Sequence, residues 1–271
     1  MKQSVFDYIK IRLRVLGINI ANTFNLETAY PAENWANILS TFMYVLSYLL
    51  FLGIIFGNVK TLAGYSRNDM LFFTFVGQTA FYTLYTWSYD NMDKLIDSVR
   101  KGEMDVLLSK PLPTLFYVST RKISFVTLFR DAFIPMTMIA LLINWSSLNI
   151  RPELIIIGVI IFACGQWCGH VMQFLLMLPV FWSGQSEALL GISYTISNPE
   201  IPLEGLSRVW RVLLTTLLPI SLPVAGSVSV MLGKSNPLSM LALTLVITAI
   251  ATYLRQIMWK KALATYNSAS S

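Results

Sequence analysis

Residues 154–186 read LIIIGVIIFACGQWCGHVMQFLLMLPVFWSGQS, with no Asp, Glu, Lys or Arg between Glu153 and Glu187. About 20 apolar residues in a helix cross a hydrocarbon core of about 30 Å, so this run exceeds one crossing. Further uncharged runs occupy 34–59, 70–89, 132–150, 212–233 and 235–254. Over the whole 271-residue chain 55% of residues are hydrophobic and only 13% charged, against about 25% charged in soluble chains. A water-facing shell cannot be made from that. Chain inside a bilayer must satisfy its own backbone hydrogen bonds as helices or as a closed barrel, and these long runs lack the alternation of barrel strands. The fold class is therefore all-α integral membrane, a single transmembrane domain. Six transmembrane helices are expected at about 35–57, 69–89, 125–145, 154–181, 187–202 and 237–257.

Charge placement orients the bundle, because Lys and Arg near span ends favour the cytoplasmic side. Lys2, Lys10, Arg12 and Arg14 lie at the start. Lys94, Arg100, Lys101, Lys110, Arg121 and Lys122 lie in 90–122, and Arg255, Lys260 and Lys261 lie in the tail. Fewer fall in the segments placed outside, namely Lys60, Arg67, Arg151, Arg208, Arg211 and Lys234. Both termini are expected in the cytoplasm. The net charge of +6 reads as orientation and contact with membrane lipid; no basic stripe interleaved with aromatics points to nucleic acid. No A-x-A cleavage site follows a short apolar core near residue 20, so no removable signal peptide is expected.

Residues 4–17 place Val5, Ile9, Leu13 and Leu16 at helical spacing with Lys10 and Arg14 elsewhere around the wheel, the pattern of an amphipathic helix lying in the membrane interface. The polar stretch 18–33, which contains Pro31, reads as a bend into the first span. The region 183–236 admits two readings. In one, 212–233 is a full crossing. In the other, Ser183-Gly184-Gln185-Ser186-Glu187 is a tight turn, and 203–236, broken by Pro219, Pro223 and Gly226, forms half-helices dipping in from outside.

Chemistry-bearing constellations are few. Gly233-Lys234-Ser235 looks like the end of a phosphate-binding loop, but that motif needs a glycine at 228, where Val228 stands. Two cysteines one turn apart, Cys164 and Cys168, are too few for a metal site and read as packing residues. No catalytic residues and no metal ligands are expected. Gln166, His170 and Gln173 make a polar stripe within the fourth span; such stripes face a bundle interior or a cavity, so they read either as a pathway wall or as helix-to-helix hydrogen bonds. Arg130-Asp131, inside the third span, reads as a structural pair or a gate element. Gly53/Gly57 and Gly165/Gly169 are Gly-x-x-x-Gly pairs suited to close helix packing.

The longest charged stretch is 90–122. Within it, Gly102-Glu103-Met104-Asp105-Val106-Leu107-Leu108-Ser109-Lys110-Pro111-Leu112-Pro113 resembles the G-x-x-D-x-L-L-x-[RK]-P-L motif between the second and third spans of ABC type-2 exporter permeases. The closing Trp259-Lys260-Lys261-Ala262-Leu263-Ala264-Thr265-Tyr266 resembles the W-x-x-[AG]-L-x-x-Y of their viologen-exporter-like, uncharacterised permease subgroup. The resemblance implies an exporter permease moving an amphipathic or hydrophobic solute, with a coupling helix in 90–122. It implies a separate cytosolic ATPase dimer that binds ATP and Mg, no cofactor in this chain, and a second permease, identical or homologous. By carry-over, Gly102, Glu103, Asp105, Leu107, Leu108, Lys110 and Pro111 would form or brace the ATPase contact, assisted by Arg12 and Arg14. The resemblance also favours the outside half-helices and a bacterial inner membrane. The rival classes are an autonomous ion-coupled carrier using Asp131 and His170, and a membrane scaffold subunit.

Overall fold

The computed structural model describes residues 5–29, 31–184, 186–196 and 202–266. Helix α1 spans Val5–Thr28 and α2 Pro31–Asn58. A two-residue hairpin, β1 (Thr61–Leu62) and β2 (Tyr65–Ser66), follows in the register Thr61↔Ser66 and Leu62↔Tyr65. Its turn residues Ala63 and Gly64 both have positive φ, as a tight right-twisted hairpin requires. Ser66 then caps α3 (Arg67–Leu84) through a reciprocal pair of bonds with Asp69. A π turn at Tyr85–Tyr89 joins α3 to α4 (Asp90–Arg100), giving one helix over 67–100.

Short helices α5 (Met104–Leu108) and α6 (Thr114–Thr120) lead into α7 (Phe125–Thr127), a π turn at Leu128–Ala132 and α8 (Phe133–Leu142). Pro135 lies just beyond this second π turn and has no amide to give to the preceding ladder. Helix α9 (Pro152–Met177) ends before Pro179, and α10 (Val180–Ser183) closes on Gly184, whose φ is +68. After α11 (Glu187–Ile196), the chain forms α12 (Arg208–Val212), π turns at Leu213–Leu217 and Leu222–Gly226, and α13 (Ser227–Met231). Asn236 caps the last helix, α14 (Pro237–Thr265).

Among the described residues, four helices are long and apolar enough to cross a membrane: Trp35–Asn58, Thr114–Leu142, Pro152–Ser183 and Pro237–Thr265. A fifth is reached if Arg208–Leu217 and Leu222–Met231 are counted as one broken element. Three of the six expected spans, 35–57, 154–181 and 237–257, coincide with these helices, and 125–145 falls largely within a fourth. The expected span at 69–89 lies in a long helix that is uncharged from 70 to 89 but less apolar than these four. Most of α3 is buried against other protein, so its outer surface has no need to match lipid. Helix α11 covers only part of 187–202, and 197–201 lie outside the described residues, as does Gln185 of the turn. The region 203–236 holds no straight helix over 212–233; its two halves meet at 102° around Pro219.

The expected bend at 18–33 is corrected: α1 continues to Thr28. No proline or glycine interrupts 18–28, and its polar side chains have protein to face. Asn19 Nδ2 donates to the Thr120 carbonyl at 3.1 Å, and Ser124 Oγ donates to Glu27 at 2.6 Å. Arg12 lies over the Phe116 ring at 5.0 Å on the same side, while Ile9 and Leu13 point outward. The side of the helix turned to the protein thus carries Arg12, Asn19, Thr23 and Glu27 among Val15, Leu16 and Ile20.

The apolar core falls into two large clusters. One gathers Tyr65, Met70, Phe73, Ile139, Val224 and Val228 near the hairpin end; the other gathers Leu95, Ile96, Met104, Val118, Phe174 and Trp259 at the opposite, charged end. Helix α9 runs through both and is packed to contact. A Cβ on Gly165 would lie 2.5 Å from the Pro223 nitrogen and 2.7 Å from its Cα, whereas one on Gly53 or Gly57 would meet nothing within 4 Å. Cys168 is buried, its sulfur 3.4 Å from the Thr248 hydroxyl, and both cysteines are free thiols.

Gly165→Ala forces the Pro223 backbone aside and should cost about 1–3 kcal/mol, read as a lowered unfolding temperature of the detergent-solubilised chain. Gly53→Ala should leave that temperature unchanged. Equal behaviour of the two variants would refute the packing described for α9.

Candidate functional site

The motif at 102–113 builds a small projection on the charged end. Gly102 has φ +71, a left-handed conformation that side chains disfavour, and it turns the chain sharply from α4 into α5. The Glu103 amide bonds the Ser98 carbonyl at 2.9 Å to close the turn. Met104 and Leu107, three residues apart, are buried in the charged-end core, so they anchor α5. Its other face carries Glu103, Asp105, Val106 (62% exposed) and Leu108 (41% exposed). Acidic and apolar groups side by side on a pinned surface are suited to gripping a partner.

The rest of the projection is braced from behind. Lys110 Nζ donates to the Tyr117 hydroxyl at 2.8 Å and lies 3.9 Å from that ring's centre. Pro111 is exposed in the turn before α6. Of the carried-over residues, then, Glu103, Asp105, Leu108 and Pro111 face outward, whereas Leu107 and Lys110 support. Arg12 packs on Phe116 of α6 and Arg14 is exposed beside it. On α4, the exposed Lys101 pairs with Asp97 at 2.8 Å, which lowers the carboxyl's pKa below its ordinary value.

The α9 stripe is buried, not laid against open space. Gln166 donates to the Ala80 carbonyl at 3.0 Å, and Gln173 is also buried. His170 is 0% exposed: its Nδ1 lies 2.8 Å from Ser88 Oγ and its Nε2 3.3 Å from an Arg255 nitrogen, with the Trp87 ring stacked at 4.4 Å. Arg255 also donates to Ser119 Oγ and sits over the rings of Trp167 and Phe174. This junction unites α4's entry turn, α6, α9 and α14. Asn91 strengthens it by donating to the Ser119 and Lys122 carbonyls and accepting from the Lys122 amide.

Arg255, read from the sequence as a tail cation facing the cytoplasm, is corrected to a buried residue, 7% exposed. Its position at the end of an uncharged run concealed the inward direction. A guanidinium among two hydroxyl- and imidazole-bearing partners and two aromatic faces makes burial tolerable. Ser88, Asn91 and Ser119 were likewise missed, since single Ser and Asn residues carry no spacing signal.

Arg130 and Asp131 form a two-point ion pair with each other at 2.6 and 2.7 Å, within the π turn Leu128–Ala132. They line a cleft with Phe81 and Tyr82 on one side of the 67–100 helix. Trp87 and Ser88 turn to the α9 side, where His170 lies. Asp131 and His170 therefore serve two separate sites. At the hairpin end, Lys234 of the rejected phosphate-loop match donates to the Gly64 carbonyl at 2.8 Å, pairs with Asp69 at 3.2 Å and covers the Tyr65 ring. It is a clamp. Burial, with Glu204 beside it, raises the Tyr65 phenol's pKa well above its ordinary value. No group of three or more His, Cys, Asp or Glu side chains that could hold a metal occurs among the described residues.

Residues 42–270 match the family described as ABC-2 family transporter protein. Comparison with curated proteins and with solved structures returned no match.

If the junction holds four segments together, Arg255→Ala should cost about 2 kcal/mol through its lost hydrogen bonds, and Arg255→Lys should recover little, since an ammonium lacks the planar fork that bonds and stacks at once. Thermal unfolding in detergent reads both. Full recovery by lysine would show that charge alone matters at this position.

Proposed function

The chain belongs to the ABC-2 transporter family, and from that premise we propose that it is the permease subunit of an ATP-binding-cassette exporter for an amphipathic or hydrophobic solute. ATP, with Mg, would be bound and hydrolysed by a separate cytosolic ATPase dimer, and a second permease, identical or homologous, would complete the pathway. The observation that carries the reading is the α5 projection. Its apolar side is locked into the core by Met104 and Leu107, and its outward side presents Glu103, Asp105, Val106 and Leu108.

In this reading the charged end faces the cytoplasm of a bacterial cell, in keeping with the basic residues gathered there. The six crossings comprise the four apolar helices, the 67–100 helix and the segment beginning at α11. The bent pair Arg208–Leu217 and Leu222–Met231 dips in from outside, its irregular backbone covered by protein as depth in a bilayer demands. The buried faces of the Leu222–Gly226 turn and of α13 agree with that requirement.

Mechanically, an ATPase gripping α5 moves a body rather than a loop. Helices α4, α5 and α6 share one core with α9 and α14, and Ser119 of α6 bonds Arg255 of α14. Closure of the ATPases would thus bias the bundle between two arrangements, a population shift supplied by a partner that binds one arrangement better.

Glu103→Arg combined with Asp105→Arg reverses the charge of the outward face without touching the anchors. The variant should reach the membrane and unfold at the parent temperature, while nucleotide-dependent export falls by about tenfold or more and the co-purified ATPase is lost. Unimpaired export by this double variant would remove the coupling role from α5.

A further inference from the structure

Helix α2 lies at the periphery, with 17% of its most apolar stretch buried. Between it and the helices it faces, three clefts follow one another along its length. The first, about 450 Å³, reaches Asn37; the second, about 200 Å³, lies at Asn37, Ser40 and Thr41; the third, about 330 Å³, lies at Leu49, Leu52 and Gly53. The first two share Asn37, Tyr85 and Arg130 and are therefore contiguous.

The lining changes in order along this seam. The first cleft is charged, with Lys94, Lys122 and Arg130 against Glu27 and Asp90. The second sets Phe81, Tyr82 and Tyr85 against Asn37, Ser40, Thr41 and the Arg130–Asp131 pair, and the third has four leucines, Leu49, Leu52, Leu71 and Leu142, together with Gly53, Arg67 and Asn68. A charged cleft at one end and a leucine-rich one farther along fit an amphiphile lying parallel to α2. The first cleft alone has the volume of a small-molecule site.

The charged end selects the sign of the headgroup. Lys122 is engaged by Asp90 at 2.6 Å, with Glu27 at 4.0 Å, and Arg130 is engaged by Asp131. Lys94 has no ion-pair partner among the described residues; partial burial and the repulsion of Lys122 and Arg121 lower its pKa, outweighing the opposite pull of Asp90 and Asp93. An anion entering the cleft would relieve that repulsion.

We propose that the seam along α2 is a binding groove for an amphiphile with an anionic headgroup, the head seated between Lys94 and Lys122 and the hydrocarbon running toward Leu49. The inference rests on the permease reading and gives it a substrate or lipid class. Residues Phe81, Tyr82 and Tyr85 form the wall at which head and tail meet.

The test uses the full chain in nanodiscs of equimolar phosphatidylglycerol and phosphatidylcholine, with retained lipid counted by native mass spectrometry after detergent extraction. The parent should retain phosphatidylglycerol over phosphatidylcholine by about tenfold. Lys94→Glu should abolish the preference, while Lys260→Glu, at another exposed cation, should keep it. The Lys94 side chain makes no hydrogen bond or ion pair among the described residues, its carbonyl alone accepting from Ser98 Oγ, so its variant should remain folded, which thermal unfolding checks. Equal retention of the two lipids by the parent, or an undiminished preference in Lys94→Glu, overturns the proposal. So does an equal loss in Lys260→Glu, which would reveal diffuse surface attraction. Excess inorganic phosphate should leave the retained lipid in place; its displacement by phosphate alone would make this a phosphate site and not an amphiphile groove. No ATPase or nucleotide enters the assay, so failure here is distinguishable from failure of the permease assignment.

Discussion

A bilayer gives a buried guanidinium no water, and the way Arg255 is housed constrains much of this chain. Its partners come from two other segments: Ser119 of α6, and His170, Trp167 and Phe174 of α9. His170 passes the link on to Ser88 in the Tyr85–Tyr89 π turn. Removing any one segment would leave a charged or polar group stranded in an apolar interior, at a cost well above that of an ordinary contact. The charged end of the bundle is therefore one mechanical unit, and α5 is fastened to it by Met104 and Leu107.

The π turn in the 67–100 helix has an identifiable local cause. The Thr86 carbonyl accepts from the Ser124 amide at 2.9 Å, and the Trp87 carbonyl accepts from Asn91 Nδ2 at 2.7 Å. Competing donors at successive carbonyls open the helical ladder, which absorbs one further residue. The result aims Trp87 and Ser88 at α9 while Tyr85 remains in the α2 seam. One helix thereby serves two sites on opposite sides.

The long apolar helices were legible because length and lack of charge suffice to define them, as at 154–181. The 67–100 helix exposes the limit of that logic: a segment surrounded by protein can carry Thr74, Gln78 and Thr86 inside and so fall short of a span's apolarity. Residues 18–28 read as a bend because polarity is costly against lipid, whereas Asn19 faces the Thr120 carbonyl and Glu27 the Ser124 hydroxyl. The Gly102 motif was legible as a turn followed by a projection, but which of its residues anchor and which face outward depends on α5's rotation against the core. Arg255 was unreadable for a similar reason. A cation at the end of a run has the same local sequence whether it points to water or into the bundle.

Packing also divides the molecule by its freedom to move. Helix α9 meets Pro223 at Gly165 and Leu84 at Gly169 so closely that even a methyl group is unwelcome, and well-packed interiors resist continuous deformation. Helix α2 has open space beside both of its paired glycines and clefts along its inner side. A π turn holds one residue beyond the α register, and releasing it rotates the chain beyond by about 100°. The turns at Tyr85–Tyr89 and Leu128–Ala132 both border the α2 seam, whereas α9 has an unbroken α register from Pro152 to Met177. Slack on the α2 side therefore lies at the Leu128–Ala132 turn and along the seam, since Ser88 ties the Tyr85–Tyr89 turn to His170 of α9.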